Sequence, residues 1–442
     1  MKINAKITNI SGLQLFQLFR FGILFLISII FSKSQLSTGE IGIYETFLLI
    51  AGGVSFFWIS GLIQSLMPLF KTSQRYGNSE LSKNPLLFNS FLILLLFSSL
   101  AGLFVFISNE SIAGFLGLHT DKLPYLKILV AYIVLSGPNN LIEYIFLLKN
   151  ESKRIVLYGV ISFSLQLFFV TTPILLGYDL GYGLYGLVAV NMLKFLFLTY
   201  LLFRHSKFQV SFLYIREHLG LATPLIFSIL LSGSASYVDG FLVSNRFSEA
   251  TFAIFRYGAR ELPFVVLLAN AFSNAMIPEF SGKINLETSL SILKRRSKKL
   301  ISYLFPVSII LLLTSKFIYP IIFNPEFKES ADVFNIYLLI IISRLIFPQT
   351  ILIAQKKTKI VMISSMIELF INVSLSIWFI SFWEIEGVAL ATLVAYLSQK
   401  LIMTAYLSDK MHIKTSDYIP VKSWLIWSFI ISAVYLIVRF VI

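Results

Sequence analysis

Apolar stretches long enough to cross a bilayer alternate with short polar segments along almost the whole chain. A membrane-spanning helix needs roughly 20 predominantly apolar residues, and thirteen stretches reach about that length. The pattern therefore predicts an all-α polytopic membrane protein without a soluble domain. The predicted spans, numbered 1 to 13 in chain order, are 10–32, 41–70, 85–108, 124–148, 155–177, 183–203, 218–244, 250–280, 298–323, 331–354, 358–381, 386–408 and 421–441. Spans 2 and 8 are overlong, and we expect them to tilt or to extend beyond the hydrocarbon.

Two short sequence echoes predict an internal repeat. Residues 37–45, which open span 2, resemble residues 248–256, which open span 8. Residues 186–190 of span 6 resemble residues 387–391 of span 12. Six spans is an even number, so both copies would enter the membrane in the same direction, as in transporters with a site between two halves. The predicted domains are an N-terminal six-helix lobe with its linker at 1–217, a C-terminal six-helix lobe at 218–408 and an extra C-terminal helix at 409–442.

Composition and charge support a membrane protein. Of the 442 residues 57% are hydrophobic and 13% charged, and a soluble protein of this kind would expose too much apolar surface. The absence of cysteine excludes disulfides, thiol catalysis and thiolate metal sites. The net charge of +14 does not indicate nucleic-acid binding, because 23 Lys and Arg lie in segments on one side of the membrane and 7 on the other. This bias predicts a cytoplasmic N-terminus, and we expect span 1 to be an uncleaved anchor. The basic run at 294–299 is a topology signal, with a lipid-headgroup contact as the alternative.

Ionisable residues inside the spans are the strongest functional signal. A charge in a membrane helix costs at least ~2.5–3.5 kcal/mol on insertion scales, so such residues are usually paired or functional. Arg20 lies about ten residues from either end of span 1, roughly 15 Å deep and beyond easy reach of the interface. Lys400 is expected to reach the cytoplasmic interface. The eleven residues are Arg20, Glu45, Glu143, Lys194, Asp239, Arg256, Arg260, Glu261, Arg344, Glu368 and Lys400.

Three arginines form the predicted anion site. Arg256 and Arg260 are four residues apart and would share one helix face. If spans 1, 2, 7 and 8 line the contact between the lobes, Arg20 joins them there. The planar, permanently charged guanidinium suits a diphosphate group. We therefore predict that Arg20, Arg256 and Arg260 bind a phosphorylated substrate, in a cavity whose other polar residues are Gln17, Ser228, Ser232, Asn270 and Asn274.

Internal ion pairs are the alternative explanation for these charges. Arg344 and Glu368 lie near mid-depth in neighbouring spans, so we interpret them as a buried structural pair. Glu143 and Lys194 could pair in the same way. The competing pairs for the predicted anion site are Asp239 with Arg256 or Arg246, and Arg260 with Glu261 or Glu45.

Residues 239–247 and 253–259 resemble the helix 7–8 signature of the polysaccharide-exporter branch of the multidrug/oligosaccharidyl-lipid/polysaccharide exporter superfamily. In that signature an Asp ends helix 7 and Gly-x-Tyr-x-x-Ala opens helix 8, whereas this chain has Ala253 and Phe255 in place of the Gly and Tyr. Residues 387–392 resemble the helix 12 motif of the same branch. By architecture the resemblance covers residues 1–408.

The resemblance implies a V-shaped, two-lobe exporter fold and a flippase in the bacterial cytoplasmic (inner) membrane. Such a protein is not an enzyme. It moves undecaprenyl-diphosphate-linked oligosaccharide from the cytoplasmic to the outer leaflet by alternating access, for O-antigen, capsular or exopolysaccharide synthesis. Arg20 and Arg256 match diphosphate-binding arginines of related lipid II flippases. The implied partners are the lipid-linked glycan, membrane lipids and glycan polymerase machinery, with the flippase itself a monomer.

The same resemblance implies a coupling site, with no bound cofactor. Some lipid II flippases bind sodium through residues of helices 7, 11 and 12, and the counterparts here are Asp239, Asn372, Ser376 and Thr392. Ser376 replaces a second carboxylate of that sodium site, so Na⁺ and H⁺ both remain candidates, together with the membrane potential. An outward push on the moving anion would amount to ~2.3 kcal/mol per charge per 100 mV.

The sequence is less compatible with two other functions. A multidrug/cation antiporter of the same superfamily would favour acidic residues in its pocket, and the excess of arginine argues against it. A membrane glycan polymerase or ligase needs a large external loop with catalytic groups. The longest predicted external segments, 109–123 and 324–332, are too short for that and contain no evident acid–base pair.

Overall fold

The structure is a computed structural model in which every regular element of the described residues is a helix. It describes residues 9–75, 85–118, 121–260 and 285–441, together with 265, 266, 268–270, 272, 273, 276 and 280. Within them, eight helices are long and apolar enough to cross a membrane, or ten if each of two bent helix pairs is one span. This confirms the predicted all-α polytopic membrane fold. The count of thirteen spans, in two six-helix lobes and one extra helix, stays a prediction.

The chain divides into two compact units. Unit 1 comprises Met1–Ser234 and Ser244–Ala250, and unit 2 comprises Ala235–Val243 and Thr251–Ile442. Unit 1 thus extends past residue 217, where the sequence placed the end of the first lobe. The helices of unit 1 are α1 (Asn9–Ser32), α2 (Thr38–Gly53), α3 (Phe56–Arg75), α4 (Leu86–Ile107), α5 (Asn109–Phe115), α6 (Leu126–Asn139), α7 (Ile142–Leu148), α8 (Ser152–Leu175), α9 (Leu180–His205) and α10 (Phe212–Gly233).

Helix α10 belongs to unit 1 because its polar and apolar side chains pack on α3 and α4. His218 is buried, with Nε2 2.9 Å from the Leu62 carbonyl oxygen and Nδ1 3.2 Å from the Ser90 hydroxyl. Gly61 of α3 lies so close to α10 that a Cβ would stand 2.4 Å from Ile226 Cγ1. This packing explains why the unit boundary falls at Ser234 rather than in the polar loop before α10.

Unit 2 contains the remaining helices and most of the ionisable residues of the second half. Helix α11 crosses from unit 2 into the short 244–250 segment of unit 1, and α12 crosses back. The helices are α11 (Ala235–Arg246), α12 (Glu249–Gly258), α13 (Leu286–Ile322), α14 (Ser330–Leu339), α15 (Ile341–Arg344), α16 (Pro348–Ala354), α17 (Thr358–Met411), α18 (Thr415–Tyr418) and α19 (Val421–Phe440).

Several predicted spans are broken helices. Span 2 divides into α2 and α3 with a bend of 49°, so it is interrupted, whereas we expected a single tilted or overlong helix. Span 7 divides at Ser234, and span 10 bends by 46° before α16. In span 8, α12 ends at Gly258, so Arg260 lies beyond the helix that contains Arg256 and the predicted shared face is not formed by one continuous helix.

Helix α17 is an antiparallel hairpin of spans 11 and 12. Its backbone is non-helical at Trp383 and Glu384, and Asn372 before the break contacts Thr392 after it. The arms approach closely at Gly387, where a Cβ would stand 2.4 Å from the Phe379 carbonyl oxygen. Gly186 of α9 has the same relation to Phe169 of α8, at 2.0 Å. Gly186 and Gly387, which begin the two similar stretches of spans 6 and 12, therefore allow the same close helix packing in both units, and this supports the predicted repeat.

The thirteenth span, α19, is fixed to unit 2 near both ends. Near its start, the Trp424 indole N–H donates to the Ile342 carbonyl oxygen at 2.9 Å. Near its other end, Arg439 forms a bidentate ion pair with Glu386, and both nitrogen–oxygen distances are 2.7 Å. Such bidentate pairs are directional as well as strong. The extra helix is therefore an integral part of unit 2.

Candidate substrate and coupling sites

Arg20 is exposed at the midpoint of an apolar helix. It lies eleven residues after Asn9 and twelve before Ser32 in α1, and its side chain is exposed, as is that of Gln17 one turn earlier. The buried Phe16 holds α1 against α8, with its ring centroid 5.0 Å from that of Phe163. This packing leaves the guanidinium of Arg20 available to a ligand while the helix itself is held firmly.

The charges around Arg20 form the first cluster of interest. Glu143 of α7 is buried, and Arg20 and Lys194 of α9 both act on it electrostatically. The Lys194 ammonium lies 5.3 Å from the centroid of the Phe163 ring, within the range of a cation–π contact. Among the described residues, Arg20 forms no ion pair with a carboxylate. Glu143 and Lys194 likewise form no close ion pair among these residues, so the predicted pair acts only through longer-range electrostatics, and the Arg20 side chain is exposed.

Arg256 and Arg260 are less exposed than Arg20. Arg256 is half-buried in the last turn of α12. The guanidinium carbon of half-buried Arg260 lies 4.7 Å from the centroid of the Tyr257 ring, and Tyr257 itself stacks on Phe327 with a centroid distance of 4.5 Å. The aromatic stack thus orients Arg260. Diphosphate binding by either residue stays a prediction.

The other predicted cavity residues are only partly placed. Ser228 of α10 and Asn270 are both exposed. The side chain of Ser232 and the whole of Asn274 lie outside the described residues. Glu261, one of the competing partners for Arg260, also lies outside them.

Three of the four predicted coupling residues meet in the interior of unit 2. Asp239 of α11 is 1% exposed. Its Oδ2 accepts hydrogen bonds from the Thr392 hydroxyl at 2.6 Å and from the Tyr337 hydroxyl at 3.2 Å. The Asn372 side-chain amide donates to the Thr392 oxygen at 3.0 Å. The structure therefore connects α11, α14 and both arms of α17 through one buried carboxylate.

This cluster retains unused oxygen atoms. Asp239 Oδ1, Asn372 Oδ1 and the Ser376 hydroxyl are buried without a hydrogen-bond partner among the described residues. Asp239 has no ion pair there either, so the alternative that Arg256 or Arg246 neutralises it is wrong. A buried carboxylate without a counter-charge is costly, and oxygen ligands suit a hard cation. The donor set therefore fits a single monovalent cation or a proton. Tyr337 was missed, since no sequence spacing relates it to Asp239.

A second charged cluster in unit 2 combines Glu368, Arg344 and Lys400. Glu368 is 4% exposed and accepts a hydrogen bond from the Gln399 side chain. Lys400 and Arg344 both act on Glu368 electrostatically, Lys400 the more strongly. The Arg344 guanidinium carbon lies 4.9 Å from the Tyr396 ring centroid. Neither cation forms an ion pair with Glu368 among the described residues. The predicted pair of Arg344 with Glu368 is therefore not a close ion pair, and its role in stability stays a prediction.

Lys400 does not reach the interface, contrary to expectation. It is 7% exposed, and its ammonium donates to the Gln349 side-chain oxygen at 2.6 Å. It lies eleven residues before Met411, the end of α17, which is roughly 16 Å of helix. A lysine side chain is too short to cross that distance. The sequence signal that could have revealed these contacts is the presence of two glutamines, Gln349 and Gln399, inside apolar spans.

Comparisons with known proteins agree with the helical architecture. A family model described as "Polysaccharide biosynthesis protein" matches residues 36–332. Among solved structures, the lipid II flippase MurJ in an inward closed conformation is 19% identical, covers 96% of this chain and 98% of its own, and has a TM-score of 0.64. An inward-facing multidrug resistance MATE family transporter is 13% identical, with coverages of 94% and 98% and a TM-score of 0.65. No curated protein sequence matches the chain.

A MOP superfamily transporter from Pyrococcus furiosus is also similar, at 14% identity, 96% coverage of each chain and a TM-score of 0.60. The fold is therefore that of the MOP superfamily of transporters. Within it, the chain belongs to the polysaccharide biosynthesis protein family, since the family model spans about two thirds of its length. The predicted relationship to the polysaccharide-exporter branch is confirmed.

Proposed function

We propose that the protein is a flippase that moves undecaprenyl-diphosphate-linked oligosaccharide across the bacterial cytoplasmic membrane by alternating access. The N-terminus would be cytoplasmic, and the glycan would leave towards polymerase machinery at the outer face. Membership of the polysaccharide biosynthesis family supports the link to a glycan. The fold shared with the lipid II flippase MurJ is compatible with a lipid-linked substrate.

The exposed guanidinium of Arg20 is the observation that carries this proposal. Of the charged side chains near mid-span in unit 1, Arg20 is exposed whereas Glu143 is buried. The other described carboxylates predicted within spans, Glu45, Asp239 and Glu368, are buried as well, at 1–4% exposure. A cationic group presented at this depth favours an anionic headgroup, since an uncompensated charge there is expensive. In unit 2, Arg256 and Arg260 are proposed as further phosphate ligands.

The same distribution of charge disfavours the multidrug/cation antiporter. Such a transporter would present carboxylates to cationic drugs, but the described carboxylates among the eleven ionisable residues, Glu45, Glu143, Asp239 and Glu368, are all buried. The glycan polymerase or ligase is disfavoured by the short external segments. A transport role rather than a catalytic one is therefore the proposal.

We propose in addition that Asp239, Asn372, Ser376 and Thr392 bind the coupling cation, with Tyr337 as a further hydrogen-bond donor to Asp239. The single carboxylate would balance one Na⁺ or one H⁺. When the cation leaves, Asp239 would become a buried charge, so cation occupancy would stabilise the packing of α11 against α17. This is a means by which an ion gradient could favour one conformation over another.

Deletion of the gene tests the transport proposal. The expected result is accumulation of a lipid-linked oligosaccharide on the cytoplasmic face, measured by its protection from a glycosidase added to intact spheroplasts. Re-expression of the wild-type protein should remove the accumulation. Accumulation of unpolymerised glycan on the outer face would instead indicate a polymerase or ligase and would overturn the flippase assignment.

The coupling proposal has its own test in Asp239→Asn, which preserves shape but removes the charge. Transport by this variant in proteoliposomes should no longer respond to an imposed Na⁺ or H⁺ gradient, whereas Ser374→Ala on the same arm of α17 should respond as the wild type does. An undiminished gradient response of Asp239→Asn would reject the coupling site and leave the substrate assignment intact.

A further inference from the structure

A basic cavity lies in unit 2, away from the Asp239 and Glu368 clusters. It has a volume of about 570 Å³ and lies between residues 291–298 of α13 and residues 416–423, which run from α18 into α19. Lys294, Arg295 and Lys298 of α13 form one wall, and Lys422 of α19 stands opposite. Lys298 lies four positions after Lys294 and three after Arg295, so it is a neighbour of both on the helix surface. The basic run that the sequence marked as a topology signal thus also lines a defined cavity.

The charge in this cavity is not neutralised. The cavity lining contains four cationic side chains and one carboxylate, that of Asp417. Asp417 is already engaged, because its Oδ2 accepts a hydrogen bond from the Lys414 backbone N–H at 2.9 Å. None of the four cations forms an ion pair with a carboxylate in the described part of the chain. Ser291, Ser416 and Ser423 complete the polar part of the lining, so the cavity offers several donors to a phosphate group.

Exposed apolar surface continues from the cavity along both helices. On α13, Tyr303 is 73% exposed and Ile310 is 60% exposed. On α19, Leu425 and Phe429 are 54% and 76% exposed. These positions begin one to two turns beyond the cationic residues, where each helix becomes apolar. The cavity therefore lies at the level of the membrane–water interface, with hydrocarbon-facing surface directly next to it.

We propose that this cavity binds the phosphate headgroup of an anionic phospholipid, whose acyl chains lie along the exposed faces of α13 and α19. Lys and Arg clusters at the end of a membrane helix attract anionic lipids by roughly 1 kcal/mol per charge. The headgroup would belong to the leaflet on the predicted cytoplasmic side. This lipid would join α19, the helix outside the repeat, to the long α13, and the proposal does not depend on what the protein transports.

Native mass spectrometry of the purified full-length protein provides the test. The protein would be released from micelles that contain phosphatidylglycerol or phosphatidylcholine with identical acyl chains, and the bound lipid counted. The wild type should retain phosphatidylglycerol in preference to phosphatidylcholine. Arg295→Gln/Lys298→Gln should bind phosphatidylglycerol about thirtyfold more weakly, as two charges are lost.

The matched control is Arg296→Gln/Lys299→Gln, which removes the same charge from neighbouring positions that do not line the cavity. It should retain phosphatidylglycerol within about threefold of the wild type, since Arg296 and Lys299 do not line the cavity and would not donate directly to a phosphate bound there. Equal losses in both double variants, or equal retention of the two lipids by the wild type, would overturn the proposal. If Arg295→Gln/Lys298→Gln does not fold, Lys422→Gln on the opposite wall serves instead. It should bind phosphatidylglycerol about fivefold more weakly than the wild type, because one charge is lost.

A soluble phosphate compound is the other source of the same chemistry. Inorganic pyrophosphate at millimolar concentration should not displace phosphatidylglycerol from the wild-type protein, because it gains nothing from the apolar faces of α13 and α19. Displacement by pyrophosphate, with no dependence on acyl chains, would assign the cavity to a soluble phosphate compound and reject the lipid.

Discussion

Units 1 and 2 each contain a group of one arginine, one glutamate and one lysine in helices of the predicted membrane region: Arg20, Glu143 and Lys194 in unit 1, and Arg344, Glu368 and Lys400 in unit 2. The two groups differ in the contacts of their charged side chains. In unit 2, Glu368 accepts from Gln399, Lys400 donates to Gln349, and Arg344 lies over an aromatic ring. In unit 1, Arg20 is exposed and has no ion pair among the described residues. The same residue types are therefore mostly buried and hydrogen-bonded in unit 2, whereas in unit 1 the arginine is exposed, as the proposed binding role requires.

The lysines show how alike the two clusters otherwise are. Lys194 lies eleven residues before His205, the end of α9, and Lys400 lies eleven residues before Met411, the end of α17. Helix α8 precedes the helix of Lys194, and the first arm of α17 precedes the arm that contains Lys400. Each begins two residues after a residue with positive φ, Asn150 at 57° and Lys356 at 60°. Because the local architecture is so similar, the difference between the clusters must come from the partners of the arginine.

The largest effect is expected for Arg20→Ala. Loss of a cation that contacts a partly desolvated anion costs about 2 kcal/mol or more, so transport should fall by roughly 30-fold or more. Complementation of a flippase-deficient strain should therefore fail, while the amount of protein in the membrane stays normal. Arg204→Ala, at the exposed last turn of α9, is the control and should complement. Full activity of Arg20→Ala would remove the substrate site.

Glu368→Ala should act on stability rather than on transport. It leaves the buried Lys400 and the half-buried Arg344 without the nearby carboxylate, and removal of the counter-charge of a buried group costs up to about 3–5 kcal/mol. Membrane abundance, measured by quantitative immunoblot, should drop several-fold. Glu368→Gln keeps a hydrogen-bonding partner for Gln399 and should be less affected. Normal abundance of Glu368→Ala would show that the network of unit 2 is not structural.

Arg344→Ala should lower abundance by less than Glu368→Ala. Lys400 still acts on Glu368 electrostatically, so the carboxylate keeps one nearby cation, and the loss should include the cation–π contact with Tyr396, about 0.5–2 kcal/mol. The melting temperature of the detergent-purified protein measures the difference. A drop equal to that of Glu368→Ala would mean that Arg344 alone balances the carboxylate.

The smallest effect is expected for Lys194→Met, which keeps the apolar stem and removes the charge over the Phe163 ring. The loss should be about 1 kcal/mol, with transport retained. A loss of transport as complete as that of Arg20→Ala would show that the two cations of unit 1 bind the substrate together.

Hydropathy and spacing predicted much of this protein. The apolar stretches located the helices well where they are continuous, as in α4, α8, α9 and α19. The breaks at Ser234 and before α3 were missed, because a window of about twenty residues averages over a short interruption. The prediction that Arg256 and Arg260 share one helix face was wrong for the same reason, because it extended the helix past its end at Gly258.

The sites could be predicted only to the extent that they depend on single helices. The depth of Arg20 follows from counting residues along α1. The meeting of Asp239 with Asn372 and Thr392 came from the family resemblance, since these residues lie more than 130 positions apart in the chain. Tyr337 and Gln349 were missed because their partners depend on tertiary packing. The structure was also needed to show that Arg20 is exposed whereas Arg344 is half-buried against an aromatic ring, because nothing in the local sequence distinguishes the two arginines.

The central claim is tested most directly by transport in proteoliposomes that contain only the purified protein. A fluorescent undecaprenyl-diphosphate-linked oligosaccharide should cross the bilayer rapidly with the wild type and with Glu368→Gln, and slowly with Arg20→Ala. A neutral prenyl glycoside of the same length should not be moved. Equal rates for Arg20→Ala and the wild type, or equal rates for the neutral and the diphosphate-linked lipid, would contradict the account.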